Sequence, residues 1–264
     1  MADADLHVLP ALLGADDPAI YTLHRPQGAS PYLLLADHAG QQVPRALTGL
    51  GLAQAELDRH IGWDIGIAGT TRALAALLDA TAILQTYSRL VIDCNRPLEA
   101  PGSIAAVSDG TDIAANVAAN AQQRAQRAAE IFQPYHDAIR ARLDARAARG
   151  QPTILIAMHS FTPVFAGIVR PWHAGVLYHR DARLAHALKP LLEAEGLTVG
   201  DNEPYAVSDA TDYAIPVHGE ARGLAHLELE IRQDLIAAPE GEQAWAQRLA
   251  RLFTRLAPDF TPRP

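Results

Sequence analysis

The chain has 264 residues, 49% of them hydrophobic, which suffices for one large α/β unit with a full core, and a single domain over residues 1–264 is expected. Twenty-two Lys and Arg against 30 Asp and Glu leave a formal charge of −8 with no basic stripe, which argues against a nucleic-acid partner but not against a small anionic substrate. Cys94 is the one cysteine, so an intramolecular disulfide is excluded; the opening MADADLHVLPALLG lacks the basic region of a signal peptide and no apolar run approaches a membrane span, so a cytoplasmic protein is expected.

Residues 1–30 are mixed, with 6–13 a candidate edge strand or cap. Residues 32–36, YLLLA, form an apolar run of the kind buried in a parallel sheet, and it ends in Asp37-His38. Residues 53–60 and 65–78 read as helical, the second with an apolar stripe, although Gly62, Gly66 and Gly69 weaken the middle. On a helix, His60 and Asp64 are four apart and share a face. Residues 81–86 and 90–94 read as strands around Tyr87-Ser88-Arg89. A long Gly/Pro/Ser/Asp-rich loop spans 99–116, and loops of that length in compact domains are more often functional than idle. Residues 114–148 are helical, with Pro134 as the first residue of a second helix.

Residues 153–158 are a buried strand running into His159-Ser160. A strand over 176–178, a helix over 181–195 stopped by Gly196, and a strand near 197–199 follow. Residues 201–219 are a second long irregular stretch, 225–231 (AHLELEI) the last strand, and 239–256 a closing helix. Strands alternating with helices predict an α/β sandwich with a mostly parallel sheet. In open sheets of this class, ligands sit at the carboxyl ends of strands. Three such ends, at His38, at Asp93 to Arg96 and at His159, therefore point to one site.

The candidate metal ligands are His38, His159 and either Asp64 or His60. Two imidazoles and a carboxylate with one open position suit a hydrolytic zinc ion, which lowers the pKa of water from about 15.7 towards roughly 7. A carboxylate must then move a proton, and the last strand offers Glu228 and Glu230 on one face. The alternative for these two is a solvent-facing edge strand. Arg89 and Arg96 can hold a carboxylate, with Asn95 adding an amide donor, and Arg89 can instead stabilise an oxyanion; either arginine can also simply pair with Asp93. Serine chemistry finds no G-x-S-x-G, Cys94 reads as inert core, and no nucleotide-binding loop is present.

LLLADHAGQQVP, YSRLVIDCNRP, AMHSFTP and LELEIRQDL, in that order, resemble the N-formylglutamate amidohydrolases over residues 32–235. The resemblance implies a fold like that of the zinc carboxypeptidases, a three-layer α/β sandwich around a mostly parallel mixed sheet flanked by helices. It also implies zinc-assisted cleavage of an N-formyl or N-acyl amino acid such as N-formylglutamate. Asp93-Cys94-Asn95-Arg96 is similar to the segment that holds the substrate carboxylate, and His159-Ser160 to the second zinc histidine with its neighbour at the substrate. Glu230-Ile231-Arg232 is similar to the general-base segment. Gln41 stands where carboxypeptidases have the carboxylate of H-x-x-E, and the resemblance points to Asp64 as its replacement. The implied site is thus His38, Asp64 and His159 for zinc, Glu230 and Arg89 for catalysis, and Asn95, Arg96 and Ser160 for the substrate. Two other readings share these residues: a zinc carboxypeptidase or cell-wall amidase acting on peptides, and a metal-free carboxylate-binding protein.

Overall fold

A computed structural model of the protein describes residues 9–261. The strands of its main sheet are β1 (Tyr21–His24), β2 (Tyr32–Ala36), β3 (Thr81–Gln85), β4 (Ile154–Phe161), β5 (Ala174–Leu177), β6 (Val199–Asp201) and β7 (Ala225–Arg232). They form one sheet in the order β1-β3-β2-β4-β7-β5-β6. The central neighbours β3, β2, β4 and β7 run parallel, β1 closes one edge antiparallel, and β5 is antiparallel to β7 while parallel to β6. Strands β2, β3 and β5, together with β4, are buried along their whole length, which is why they read as continuous apolar runs.

The helices α1 (Ile67–Leu78), α2 (Gln133–Ala148), α3 (Arg183–Glu193) and α4 (Pro239–Phe260) cover the two faces. Leu34, Ile156, Met158, Leu227 and Leu229 point to one face, against Leu74 of α1, Leu188 of α3 and Phe253 of α4. Their sequence neighbours Leu33, Leu35, Leu155 and Ala157 point to the other, against Tyr135, Ile139 and Leu143 of α2. The sandwich therefore has three layers, and the second face is the one that turns polar at the strands' carboxyl ends. Among the described residues no helix is long and apolar enough to cross a membrane.

Several boundaries differ from the sequence reading. β4 runs on to Phe161, so His159 and Ser160 lie within the strand and not past it. Residues 90–94 form no strand: the run is buried, but it is a looped segment whose backbone bonds locally, Val91 to the Ser88 carbonyl and Asp93 to the Ser103 carbonyl. Burial without a free sheet neighbour gives the same apolar pattern as a strand. The helix expected over 53–78 is interrupted, leaving Gln54–Leu57 and α1, so His60 and Asp64 lie in the turns between and share no helix face. Of the two sheet edges, β1 and β6, the sequence reading did not single out β1. Of the candidate strand over 6–13, residues 6–8 lie outside the described residues, while the amides of Leu12 and Leu13 instead bond the Glu130 carboxylate as a cap.

Pro134 does sit in the first turn of α2, entered through a π-helical turn at Ala128–Phe132. β7 is not an edge strand. It lies between β4 and β5, and Glu228 and Glu230 are buried.

Candidate metal centre and active site

Alternation along the strands brings the chemistry to one place. His159 continues the Leu155, Ala157 side of β4, and Glu228 and Glu230 lie on the face of β7 opposite to Leu227, Leu229 and Ile231. Glu230 and His159 are register partners across the β4–β7 ladder. His38 follows two residues after β2 ends. Asp64 arrives from the turn before α1: its amide donates to the His38 carbonyl at 2.9 Å, and its Oδ2 accepts the Ser160 amide at 3.2 Å. Gly66 makes that turn possible. Its φ is +80°, and a Cβ there would stand 1.9 Å from the Ile236 carbonyl oxygen.

His38, Asp64 and His159 each present one ligand atom, and these atoms lie within 4.8 Å of one another. Asp64 Oδ2 is 3.0 Å from His159 Nδ1 and 3.5 Å from His38 Nδ1. His38 donates its other nitrogen, Nε2, to Asp93 Oδ1 at 2.7 Å, and the remaining Nδ1 is buried without a hydrogen-bond partner among the described residues. His159 Nε2 faces Asp37 Oδ2 at 3.6 Å, and Asp37 Oδ1 accepts the Tyr135 hydroxyl at 2.7 Å. A carboxylate behind each imidazole orients the ring and raises its basicity. Two nitrogens and one oxygen, with a buried nitrogen left unpartnered, fit a divalent cation of the zinc class. His60 is placed elsewhere on the wall, with Nε2 3.3 Å from Asp109 Oδ2.

Asp93 is the hub of the second half of the site. Its Oδ2 accepts Arg89 Nη2 at 2.7 Å and Nε at 3.1 Å, with Arg96 Nε at 3.8 Å, while Oδ1 accepts His38 and the Asn95 amide. The pairing of Arg89 with Asp93 that the sequence allowed is therefore present, and Arg89 Nη1 lies 3.7 Å from Asp64 Oδ1. Arg96 also donates to the Thr211 carbonyl. Asn95 departs from the donor role: its Nδ2 bonds Glu228 Oε2 at 3.2 Å and Asp212 Oδ1 at 3.4 Å, and its Oδ1 accepts the amides of Tyr213 and Ala214. Both of its amide hydrogens are used within the protein. Ser160 likewise spends its hydroxyl on the Ile65 carbonyl at 2.9 Å, so both residues position their neighbours and have no donor left for a carboxylate.

Burial and charge act in opposite directions here. Burial pushes the Glu230 carboxyl up to about 7, helped by Asp64 and opposed by His159 and Arg89. Burial likewise pushes Glu228 up to about 8, against the pull of His159. For Asp64 burial acts upward, but His38 and His159 outweigh it and hold the carboxylate below its ordinary range. His159 is desolvated, yet Asp37, Asp64 and Glu228 raise it well above the ordinary imidazole value. Cys94 is buried with its thiol pushed well up by desolvation, in keeping with inert core.

His38, Asp64, His159, Arg89, Asp93, Glu228 and Glu230 all line a cleft of about 400 Å³. Both long loops reach it: Gly102, Ala105 and Ser108 come from the first, and Tyr205, Thr211 and Asp212 from the second. The sequence reading missed Asp37, Tyr205 and Asp212. Asp37 had a signal, since it adjoins His38, whereas the other two lie in an irregular segment without periodicity.

A family model described as N-formylglutamate amidohydrolase matches residues 30–237. The structure is similar to that of gene product Atu2144 from Agrobacterium tumefaciens, with 31% identity, TM-score 0.91, and 94% of this chain and 98% of that one covered. It is also similar in fold to N-formylglutamate amidohydrolase from Ralstonia eutropha JMP134, with 20% identity, TM-score 0.67 and coverage of 92% and 98%. No curated protein matches the chain at a significant level.

Proposed function

Because this chain belongs to the N-formylglutamate amidohydrolase family, a family of hydrolases, we propose that it cleaves the amide of an N-formyl or N-acyl amino acid, releasing the carboxylic acid and the free amine. The observation that carries the reading is the convergence of His38 Nδ1, Asp64 Oδ2 and His159 Nδ1 in the cleft, with Glu230 Oε2, which has no hydrogen-bond partner among the described residues, on the adjoining strand. These three residues would hold the cation, zinc by preference for two imidazoles and a carboxylate. A bound cation supplies Lewis-acid activation of water and of the scissile carbonyl.

The chain's own groups do the rest. Glu230 accepts a proton from water at Oε2 and returns it to the departing nitrogen; burial brings its carboxyl close to neutrality, where both transfers are feasible. Arg89 keeps its charge, because Asp93 and Asp64 raise its pKa against desolvation, and it offers Nη1 to the developing oxyanion while Asp93 holds Nε and Nη2. Arg96, partly exposed at the cleft, takes the α-carboxylate. Asn95 and Ser160 keep the 93–96 loop and the Asp64 turn in place.

The test is formate or acetate release from a panel of N-formyl and N-acetyl amino acids, with metal content measured on the same preparation. Turnover of the panel with metal bound supports the proposal. Turnover of peptides alone would assign the chain to the peptidase reading, and carboxylate binding without metal or turnover to the binding-protein reading.

A further inference from the structure

Two fully buried histidines take no part in the chemistry above. They are His136, in the first turn of α2, and His218, in the π-helical turn Ile215–Gly219. His136 Nε2 lies 2.9 Å from the Cys94 carbonyl oxygen, and its Nδ1 lies 2.9 Å from His218 Nε2. His218 Nδ1 is sealed from solvent, with no hydrogen-bond partner among the described residues.

One carbonyl fixes where the protons of both rings sit. A carbonyl oxygen only accepts, so His136 carries its hydrogen on Nε2. A neutral imidazole then presents a bare lone pair at Nδ1, and His218 answers it with Nε2–H. That leaves the lone pair of His218 Nδ1 without a donor. The chain of donors thus runs one way, from His218 through His136 to Cys94. A proton added to His136 would set N–H against N–H, and one added to His218 would find no acceptor. Burial opposes both, holding His136 down to about 4 and His218 down to about 3.

The carbonyl at the end of this chain belongs to the site. Cys94 stands between Asp93, which orients His38 and Arg89, and Asn95-Arg96. The segment is no strand, so no sheet ladder holds its backbone. Tyr213, whose amide donates to Asn95 Oδ1, packs its ring centre 4.4 Å from that of His136. The preceding residue of α2, Tyr135, donates to Asp37 behind His159. Consecutive residues of one helical turn therefore brace both halves of the site.

We infer that His136 and His218 are positioning residues, a neutral donor relay that holds the Asp93–Arg96 segment where the reaction needs it. This rests on the amidohydrolase reading: the relay acts through Asp93 on His38 and Arg89, and through Arg96 on the substrate carboxylate.

Nitrogen-15 correlation NMR of the full chain reads the tautomers directly, with signals assigned through His136→Gln and His218→Gln. Both rings of wild type carry hydrogen on Nε2 alone, and neither titrates between about pH 5 and 8. An Nδ1–H tautomer at His136, or titration of either ring within that range, overturns the relay.

Kinetics separate positioning from packing by comparing an N-formyl amino acid with its α-amide, with melting temperature as the folding control. His136→Leu leaves the Cys94 carbonyl without its donor. It lowers kcat/KM for the acid by roughly 5- to 100-fold, the range an unsatisfied buried acceptor implies. The α-amide loses less, because Arg96 has no carboxylate to hold there. A glutamine amide offers one donor and one acceptor like the neutral ring, so His136→Gln recovers most of the loss. His218→Leu acts in the same direction by a smaller factor. An unchanged acid-to-amide ratio in folded His136→Leu makes the pair mere packing and overturns the inference. Should that variant fail to fold, His218→Leu decides on the same ratio.

Failure of the hydrolase reading is seen separately, as no turnover of either compound by metal-loaded wild type. NMR then decides alone. The Nε–H signal of Arg89, bonded to Asp93 at 3.1 Å, shifts in His136→Leu and returns in His136→Gln, and an unmoved signal overturns the relay.

Discussion

His38 donates Nε2–H to Asp93 Oδ1 at 2.7 Å, and that bond decides which imidazole nitrogen is left for a cation. With Nε2 engaged, Nδ1 faces Asp64 and His159. The same Asp93 anchors Arg89, so one buried carboxylate orients a metal ligand and an oxyanion donor together.

Replacing His38 or His159 with Ala is expected to remove bound metal and leave the fold largely intact, read by metal analysis and circular dichroism. Asp64→Asn should weaken the metal in the same way. Full metal occupancy in both histidine variants would exclude this site.

Glu230→Gln keeps the shape of the side chain and removes the proton acceptor. Metal should stay bound while kcat falls by roughly 10²–10⁴-fold. In wild type the acceptor must be unprotonated, so the rate falls as pH drops through the Glu230 pKa. Burial raises that pKa to about 7 before a cation is bound, and the positive charge of a cation beside it moves the limb of the metal-loaded enzyme lower. A near-normal rate for the variant would move the role to Glu228 or off this strand.

Arg96→Ala should cripple substrates with a free α-carboxylate, at a cost of about 2–5 kcal/mol in kcat/KM, while an α-amide analogue, already poor, loses little more. Enzyme and substrate together form a double-mutant cycle. Equal fractional losses on both would make Arg96 structural.

Glu228 carries a stability signature. Its carboxyl is raised from 4.5 to about 8 in the folded protein, mainly by burial. Between those values the folded form holds a proton that the unfolded form has released, so the contribution of Glu228 to stability declines as pH rises through the window. Glu228→Gln should therefore raise the melting temperature of metal-stripped protein at pH 8–9 by at least about 2–4 °C, equivalent to roughly 1 kcal/mol. The gain should vanish near pH 4, where both forms are protonated. A gain independent of pH would point to packing instead.

Gly66→Ala forces a side chain into the left-handed region and onto the Ile236 carbonyl, which would be 1.9 Å away. A loss of roughly 1–2 kcal/mol or more is expected from the backbone conformation alone. Because Asp64 sits two residues earlier, metal affinity should fall with stability. A variant that melts earlier yet binds metal like wild type would separate the turn from the site.

The sequence by itself determined the sheet's inner strands and the family, because a strand covered on both faces must be apolar throughout. YLLLA and ILIAM have no other stable environment than a buried core. It also offered His38, His159 and Glu230 as candidates through motifs whose residue types carry their chemistry locally, whereas Asp64 stood beside His60 as an alternative until the resemblance favoured it. The tertiary structure alone decided how the polar groups are spent. Asn95 and Ser160 look like donors in sequence, but Glu228, Asp212 and the Ile65 carbonyl claim their hydrogens. Residues 90–94 look like a strand because burial, and not pairing, sets their composition. Tyr205 and Arg170 lie on separate irregular segments that no period relates, and only packing sets one against the other. Hydrophobic pattern records what is buried; which polar group meets which is settled when distant segments close on one another.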